Sequence, residues 1–140
     1  MSGYLQWLNG PLHWVSKRQT LTARSTAESE IYATDECTKN ILHIRHILQD
    51  LNLLLTFCPE PTTIHNDNNA CVLWSSNMTT KGLRHIQIRE NAIRESIQSK
   101  EVAVKDVAGH VNLADLFTKE DRDIAHFTST RDVIMTDRPT

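Results

Sequence analysis

Alternating and helical hydrophobic patterns divide the chain into segments that predict an α/β protein. Residues 3–16 (GYLQWLNGPLHWVS) hold two aromatic-bearing runs on either side of Asn9-Gly10, which predicts a β-hairpin. Residues 25–51 repeat apolar side chains in steps of three and four, which predicts one long helix. A hairpin and helix followed by alternating strands and helices indicate a mixed sheet. The later predicted elements are a strand at 61–67, helices at 68–76 and 83–99, a strand at 101–107 and a last helix beginning at 114–119.

The long predicted helix contains two acids for which we expect different roles. Its apolar stripe, extended backwards by three residues, reaches Glu30, so this acid is expected on the buried face. A buried carboxylate is costly unless it is paired or binds a metal, and a salt bridge to an arginine is the alternative to a metal. Glu28 lies nearly opposite on the helical wheel and completes the capping box Ser25-Thr26-Ala27-Glu28. The stripe consists of Ala33, Cys37, Ile41, Ile44, Leu48 and Leu51.

Two further acids lie where a predicted strand gives way to a predicted helix. Asp67 follows the β-type run at 62–64 and has an asparagine on either side, within TTIHNDNNACVLW (62–74). Asp115 lies among apolar residues in AGHVNLADLFTK (108–119). Each has an ordinary alternative role, because Asp and Asn cap helices and an acid stabilises the helix dipole. With Glu30, however, they bring three acids to the strand-to-helix edge of an α/β sheet, where ligand sites gather.

Composition and charge bound the kind of protein. The chain has 140 residues, enough for one domain, with 39% hydrophobic and 23% charged residues, as in globular proteins. Its formal net charge of −2 means that nucleic acid would have to meet a local basic patch. The apolar stretch 51–58 is too short to cross a membrane, and the N-terminus lacks a secretory signal pattern. Cys37, Cys58 and Cys71 predict reduced thiols without a disulfide partner in an intracellular protein.

Five short stretches of the chain occur in the order and at about the spacing of a known family. They are LHWVSKRQ (12–19), STAESEIYA (25–33), IHNDNNAC (64–71), KGLRHIQIRENAIRE (81–95) and NLADLFTK (112–119). Together they resemble the ribonuclease H domain of a copia-type retrotransposon Pol polyprotein. The resemblance implies a ribonuclease H-like mixed sheet with helices on both faces over residues 1–119, and a tail or short helix at 120–140.

The resemblance also implies an activity and a setting. It implies an endonuclease that cleaves the RNA strand of RNA–DNA hybrids, as part of a retrotransposon reverse transcriptase. The implied partners are the hybrid and the upstream reverse transcriptase segment of the same polyprotein, with no membrane. The implied location is intracellular, either in the cytoplasm within a virus-like particle or in the nucleus.

The same resemblance assigns Glu30, Asp67 and Asp115 as carboxylates that hold two Mg²⁺ ions, with Mn²⁺ as an alternative ion. Two metals about 4 Å apart can activate a water and stabilise the leaving oxygen of a phosphodiester. Carboxylate oxygens are ligands that Mg²⁺ prefers. His110, in the loop before Asp115, is a further catalytic candidate for proton transfer or product release, and a surface loop histidine is the alternative.

Candidate contacts to nucleic acid come from basic and small polar residues. Lys81, His85 and Arg89 follow one another at steps of four, a spacing that can track a phosphate backbone or form a solvated face. Asparagine and serine beside the acids can bind a ribose 2′-OH or cap helices. Trp7, Trp14 and Trp74 are expected in the core. The full set of nucleic-acid candidates is Lys81, Arg84, His85, Arg89, Lys17, Arg18, Asn68 and Ser25.

One departure from the family bears on activity. The family's first catalytic acid is an Asp on a central first strand, just before the motif that begins here at Ser2, and this chain has no acid before Glu28. We therefore expect the strand to be absent and the nuclease to be weak or inactive. The alternative is a non-catalytic remnant that binds nucleic acid or a protein. Another two-metal nuclease, such as an integrase, is disfavoured by RHIQIRE and ADLFTK.

Overall fold

The computed structural model describes residues 2–8, 10–18, 26–67, 84–118 and 123–136 and has an α/β architecture. The predicted α/β class is confirmed, while the helix predicted at 68–76 lies outside the described residues. In chain order the elements are β1 (Ser2–Trp7), β2 (Pro11–Lys17), α1 (Thr26–Asp50), α2 (Leu54–Phe57), β3 (Thr62–Asn66), α3 (Arg84–Gln98), β4 (Val102–Asp106), two 3₁₀ helices (Gly109–Val111 and Leu113–Phe117) and α4 (Ile124–Met135).

The first of two compact units combines residues 1–22 with residues 109–140. Within it β1 and β2 form the predicted antiparallel hairpin, in register from Ser2 opposite Lys17. The 3₁₀ helix Leu113–Phe117 packs on this hairpin, and the Ser16 hydroxyl donates a hydrogen bond to the Phe117 carbonyl. A Cβ atom on Gly3 would lie 2.5 Å from Cγ2 of Thr118. The close approach therefore requires glycine at position 3.

The second unit spans residues 23–108 and carries a buried isoleucine-rich core. Strands β3 and β4 pair in parallel, from Thr62 opposite Val102 to Asn66 opposite Asp106. Parallel strands need a crossover connection, and α3 lies in this one. Helices α1 and α3 pack on each other, α1 contacts β3 and α3 contacts β4. The core cluster consists of Ile31, Tyr32, Ile86 and Ile93, with Ile97 packed against it.

The predicted single mixed sheet is not what the described residues form. They contain two separate two-stranded sheets, an antiparallel β1–β2 pair and a parallel β3–β4 pair. The strand predictions are correct element by element, but hydrophobic patterns do not specify which strands share an edge.

The buried face of α1 differs from the predicted stripe. Cys37, Ile41 and Leu48 are buried as predicted, but Leu51 is exposed. The expectation that Glu28 faces away from the core is wrong, because Glu28 is only 8% exposed, whereas Glu30 is half-buried. The buried face also includes Thr34, Asp35, Thr38 and Arg45. Polar partners on β3, on α3 or within α1 itself let these side chains replace apolar ones, so polar contacts override the apolar periodicity. Ser25 of the predicted capping box lies outside the described residues.

The helix predicted to begin at 114–119 is a short 3₁₀ helix. Asn112 has an extended backbone between the two 3₁₀ helices, and its side chain accepts a hydrogen bond from the Ala114 N–H at 3.1 Å. The α-helix begins later, at Ile124, where the Asp123 carboxylate accepts from the N–H groups of Ala125 and His126. This helix lies in the segment for which a tail or short helix is predicted. Over the described ranges, no helix has the length and apolar character needed to cross a membrane.

Candidate active site

The first turns of α1 lie beside the carboxyl end of β3. Asn66, the last residue of β3, is buried, and its Nδ2 donates to Oε2 of Glu30 at 3.5 Å and to Oγ1 of Thr34 at 3.3 Å. One amide nitrogen can serve both acceptors because it carries two hydrogens. Asp67 follows Asn66 directly and is half-buried. The structure therefore brings Glu30 to the end of the strand that carries Asp67.

Contacts at the other end of β3 hold the same helix. Arg45 of α1 is buried, and its Nη1 donates to the Glu60 carbonyl at 3.0 Å and to Oγ1 of Thr62 at 3.1 Å. At the carboxyl end, the Asn66 carbonyl accepts from the Val107 N–H at 3.0 Å, which extends the pairing with β4. Helix α1 is thus fixed to β3 at both ends of the strand.

The side chains at this edge carry the type of donor atom that binds a hard divalent cation. Glu30 and Asp67 offer carboxylate oxygens, which Mg²⁺ prefers. Among the residues that the structure describes, however, no group of three or more His, Cys, Asp or Glu side chains is arranged to hold a metal. The second unit therefore contributes two of the three predicted ligands, and the third, Asp115, belongs to the first unit.

Asp115 and His110 both lie in the 3₁₀ segments of the first unit. Asp115 is half-buried in Leu113–Phe117, and its backbone carbonyl accepts from the Thr118 N–H at 3.1 Å. His110 is exposed in Gly109–Val111, and its carbonyl lies 3.4 Å from Nε2 of His126. Their catalytic roles stay predictions.

Arg89 is engaged inside the protein. Its guanidinium forms an ion pair with the Asp35 carboxylate of α1, and its Cζ lies 4.7 Å from the centroid of the Tyr32 ring. Asp35 also accepts from Nζ of Lys39 at 2.7 Å. The Asp35 side chain is 3% exposed and that of Arg89 is 28% exposed. The sequence pattern did not identify Asp35, because its partner Arg89 lies 54 residues later in the chain.

Two more acids are buried next to this pair. Glu28 forms a side-chain hydrogen bond with Tyr32, and Glu90 of α3 lies 3.8 Å from Nη2 of Arg94. Burial raises the pKa of the Tyr32 hydroxyl above its usual 10.0, and the negative charge of Glu28 raises it further, while Arg89 lowers it. The N-terminal half of α1 therefore faces α3 both through apolar core contacts, which include Ile31 and Ile93, and through the charged contact of Asp35 with Arg89.

The other nucleic-acid candidates are spread over several elements, and some lie outside the described residues. Lys17 and Arg18 are exposed at the end of β2, while Arg84 and His85 lie in the first turn of α3. Ser25, Asn68 and Lys81 are outside the described residues. Their roles stay predictions.

Tryptophan and cysteine side chains were also assigned from the sequence. The expectation that Trp14 is buried is wrong, because 59% of it is exposed on β2. Trp7 is half-buried, and Trp74 lies outside the described residues. Cys37 is a buried thiol and Cys58 is a half-buried one.

Comparison with known proteins places these residues in a retrotransposon context. The Retrovirus-related Pol polyprotein from transposon RE1 of Arabidopsis thaliana is 32% identical over 120 residues, and that from RE2 of the same plant is 30% identical over 120 residues. The Pol polyprotein from transposon TNT 1-94 of Nicotiana tabacum is 29% identical over 123 residues. Each alignment covers 84% of this chain but only 8–9% of the relative.

The match is therefore to a short segment of much longer proteins. No protein-family model matches the chain, and no solved structure matches it. The homologues of this chain are copia-type retrotransposon Pol polyproteins.

Proposed function

We propose that the chain is the ribonuclease H segment of a retrotransposon Pol polyprotein, an endonuclease that cleaves the RNA strand of RNA–DNA hybrids. The observation that carries this proposal is the contact of Asn66 with Glu30, which brings one predicted ligand next to the strand end that carries another, Asp67. The Pol polyprotein homologues support the setting. In that setting the upstream reverse transcriptase segment is the natural covalent partner.

Each acid in the proposed site has a defined task. Glu30, Asp67 and Asp115 would hold the divalent cations, Mg²⁺ or Mn²⁺, through their carboxylate oxygens. When bound, such ions supply an activated water and a stabilised leaving oxygen. Asn66 orients the Glu30 carboxylate by donating to Oε2. His110 would donate a proton to the leaving 3′ oxygen or aid product release from its exposed loop.

Substrate affinity comes from separate residues in this proposal. Lys81, Arg84 and His85, together with Lys17 and Arg18, would contact phosphates and supply no chemistry. Ser25 and Asn68 would contact the ribose 2′-OH, the group that distinguishes RNA from DNA. Arg89 is omitted from the phosphate contacts because Asp35 and Tyr32 already engage its guanidinium.

The matched pair Glu30→Gln and Glu28→Gln tests the assignment. Both changes remove one negative charge from the first turns of α1 at nearly constant size. We expect Glu30→Gln to lower Mg²⁺-dependent cleavage of a labelled hybrid by about 100-fold or more, because misplaced reacting groups cost about that much. Glu28→Gln should keep cleavage and lower stability by about 1–2 kcal/mol, through a weaker hydrogen bond to Tyr32.

Two outcomes would contradict the proposal. Equal loss of cleavage in both variants would remove the special role of Glu30. The assay should be run on the chain alone and on the chain joined to the upstream polyprotein segment. Hybrid binding without cleavage in either form, in Mg²⁺ or Mn²⁺, would identify the chain as a non-catalytic binding module.

A further inference from the structure

Helix α1 is held on two sides at the level of its first turns. On one side, Asn66 of β3 contacts Glu30 and Thr34. On the other side, Arg89 of α3 contacts Tyr32 and Asp35. All four α1 residues lie within six positions of one another, a span of about 7.5 Å along the helix axis at 1.5 Å per residue.

The two contacts meet the helix in very different directions. At about 100° per residue, Glu30 and Thr34 point about 40° apart, and Tyr32 and Asp35 point about 60° apart. The midpoints of the two pairs are separated by about 150° around the axis. Two anchors this far apart fix how the helix is rotated, because turning it in either direction breaks one of them.

We infer that Arg89 is a positioning residue for the proposed metal site, which fixes the rotation of α1 and so the direction in which Glu30 projects. The inference rests on the proposed function of Glu30. The guanidinium is suited to the task because its planar fork can pair with a carboxylate while its face lies on an aromatic ring. A lysine at this position would keep the charge but would lose both the fork and the flat face.

A small rotation of α1 is enough to matter. With side chains, a helix is about 10–12 Å across, so a turn of about 20° moves a carboxylate on its rim by about 2 Å. Metal ligands and catalytic groups tolerate about 0.5 Å of displacement. Glu30 touches the proposed metals directly, whereas Arg89 acts only through α1.

Direct metal binding by the full chain tests this role without relying on cleavage. We would titrate Mn²⁺ into metal-free protein and measure unbound Mn²⁺ by electron paramagnetic resonance, for the wild type, Arg89→Lys, Tyr32→Leu and Glu30→Gln. Arg89→Lys should weaken Mn²⁺ affinity about 10-fold or more, as changes to the residues that orient metal ligands usually do. Tyr32→Leu removes the ring under the guanidinium and should weaken affinity in the same direction.

Arg94→Lys is the matched control. It makes the same substitution on the same helix, and Arg94 forms an ion pair with Glu90 of α3 itself. We expect this variant to keep Mn²⁺ affinity within about twofold of the wild type, because Arg89 and Asn66 are both unchanged. Circular dichroism of each variant confirms that it is folded, and if Arg89→Lys does not fold, Tyr32→Leu decides the outcome.

The outcomes separate this inference from the proposed function. The positioning role would be overturned if folded Arg89→Lys and Tyr32→Leu both kept the Mn²⁺ affinity of the wild type while Glu30→Gln weakened it. The proposed metal site would still stand in that case. The positioning role would also fall if Arg89→Lys weakened hybrid binding and left Mn²⁺ affinity unchanged, since that marks a direct contact with the substrate. Failure of Glu30→Gln to weaken Mn²⁺ binding would overturn the proposed site, and the inference with it.

Discussion

Substituting Asp35 and substituting Arg89, which form an ion pair, should lower the free energy of unfolding by very different amounts. The Asp35 side chain is 3% exposed and that of Arg89 is 28% exposed. Arg89→Met leaves a buried carboxylate with Lys39 as its remaining cation, whereas Asp35→Asn leaves two cations that can still reach water. The free energy of unfolding should therefore fall much more for Arg89→Met than for Asp35→Asn.

The magnitudes follow from the surroundings of each group. Breaking a fully buried pair from one side costs about 3–5 kcal/mol, and the lost contact with Tyr32 adds about 0.5–1 kcal/mol. Lys39 stays 2.7 Å from Asp35, but its side chain is 64% exposed, so it offsets only part of the loss. We expect about 3 kcal/mol for Arg89→Met and about 1 kcal/mol for Asp35→Asn, in which the carboxylate becomes an amide of the same shape.

Urea denaturation of the single and double variants measures these values. The urea concentration at the midpoint of unfolding should fall, while the dependence of the unfolding free energy on urea concentration should stay the same. An unchanged dependence means that the substitution alters stability and does not alter the compactness of the denatured state. The double variant Asp35→Asn/Arg89→Met should unfold close to Asp35→Asn, with a coupling energy of about 3 kcal/mol, since no buried charge remains. Equal costs for the two single variants, or a larger cost for Asp35→Asn, would refute the reasoning.

Three further predictions concern the core, the alkaline stability and the substrate contacts. Ile93 is 0% exposed and Ile88 is 63% exposed on the same helix, so Ile93→Ala should cost about 2–5 kcal/mol in urea denaturation and Ile88→Ala at most about 0.5 kcal/mol. Because the pKa of Tyr32 is raised above 10.0 in the folded protein, stability should fall as pH rises from about 10 through that raised value. Tyr32→Phe should flatten this fall, and an equally steep alkaline loss in the variant would exclude Tyr32 as its source. Lys81→Gln should reduce the salt dependence of hybrid binding by roughly one unit of slope, and an unchanged slope would indicate a solvated lysine.

Local patterns predicted most of the described elements to within a residue or two. The hairpin, the long helix at 26–50, both strands of the parallel pair and the helix at 84–98 all appear where the periodicities placed them. The four-residue helix Leu54–Phe57 was missed, because one turn is too short to show a period. The 3₁₀ form of Leu113–Phe117 was also missed, since its spacing differs from that of an α-helix only over longer runs.

Burial was harder to predict than secondary structure. Asp35 and Glu90 have charged side chains, which a hydrophobicity pattern predicts to be exposed. Both are buried, because each carboxylate forms an ion pair with an arginine. The partner of Asp35 lies on α3, and the partner of Glu90 lies one helical turn away. A pattern of hydrophobic residues along the chain contains no information about either ion pair. For Trp14 the predicted burial is wrong in the opposite direction, because this apolar side chain is exposed. An apolar side chain on a two-stranded ribbon is buried only if another element covers that face.

The predicted site shows the same division between local and distant information. Glu30 and Asp67 were selected from their places along the chain, and the structure brings Glu30 to the end of β3 through Asn66. The importance of Asn66 was missed, because a buried asparagine at a strand end reads as a capping residue. Its two acceptors are 32 and 36 residues earlier in the chain, beyond the reach of any local pattern.

The contact between Ser16 and Phe117 has a consequence for biosynthesis, because it joins residues 101 positions apart. The β1–β2 hairpin leaves the ribosome before the 3₁₀ segment that packs on it, which is made about a hundred residues later. At roughly 5–20 residues per second, this delay is about 5–20 s. An isolated two-stranded hairpin is at best marginally stable in water. The contiguous unit at 23–108 can therefore complete its folding first, while the hairpin emerges early and acquires its packing partner late. During that interval the hairpin lacks the segment that packs on it and is exposed to aggregation.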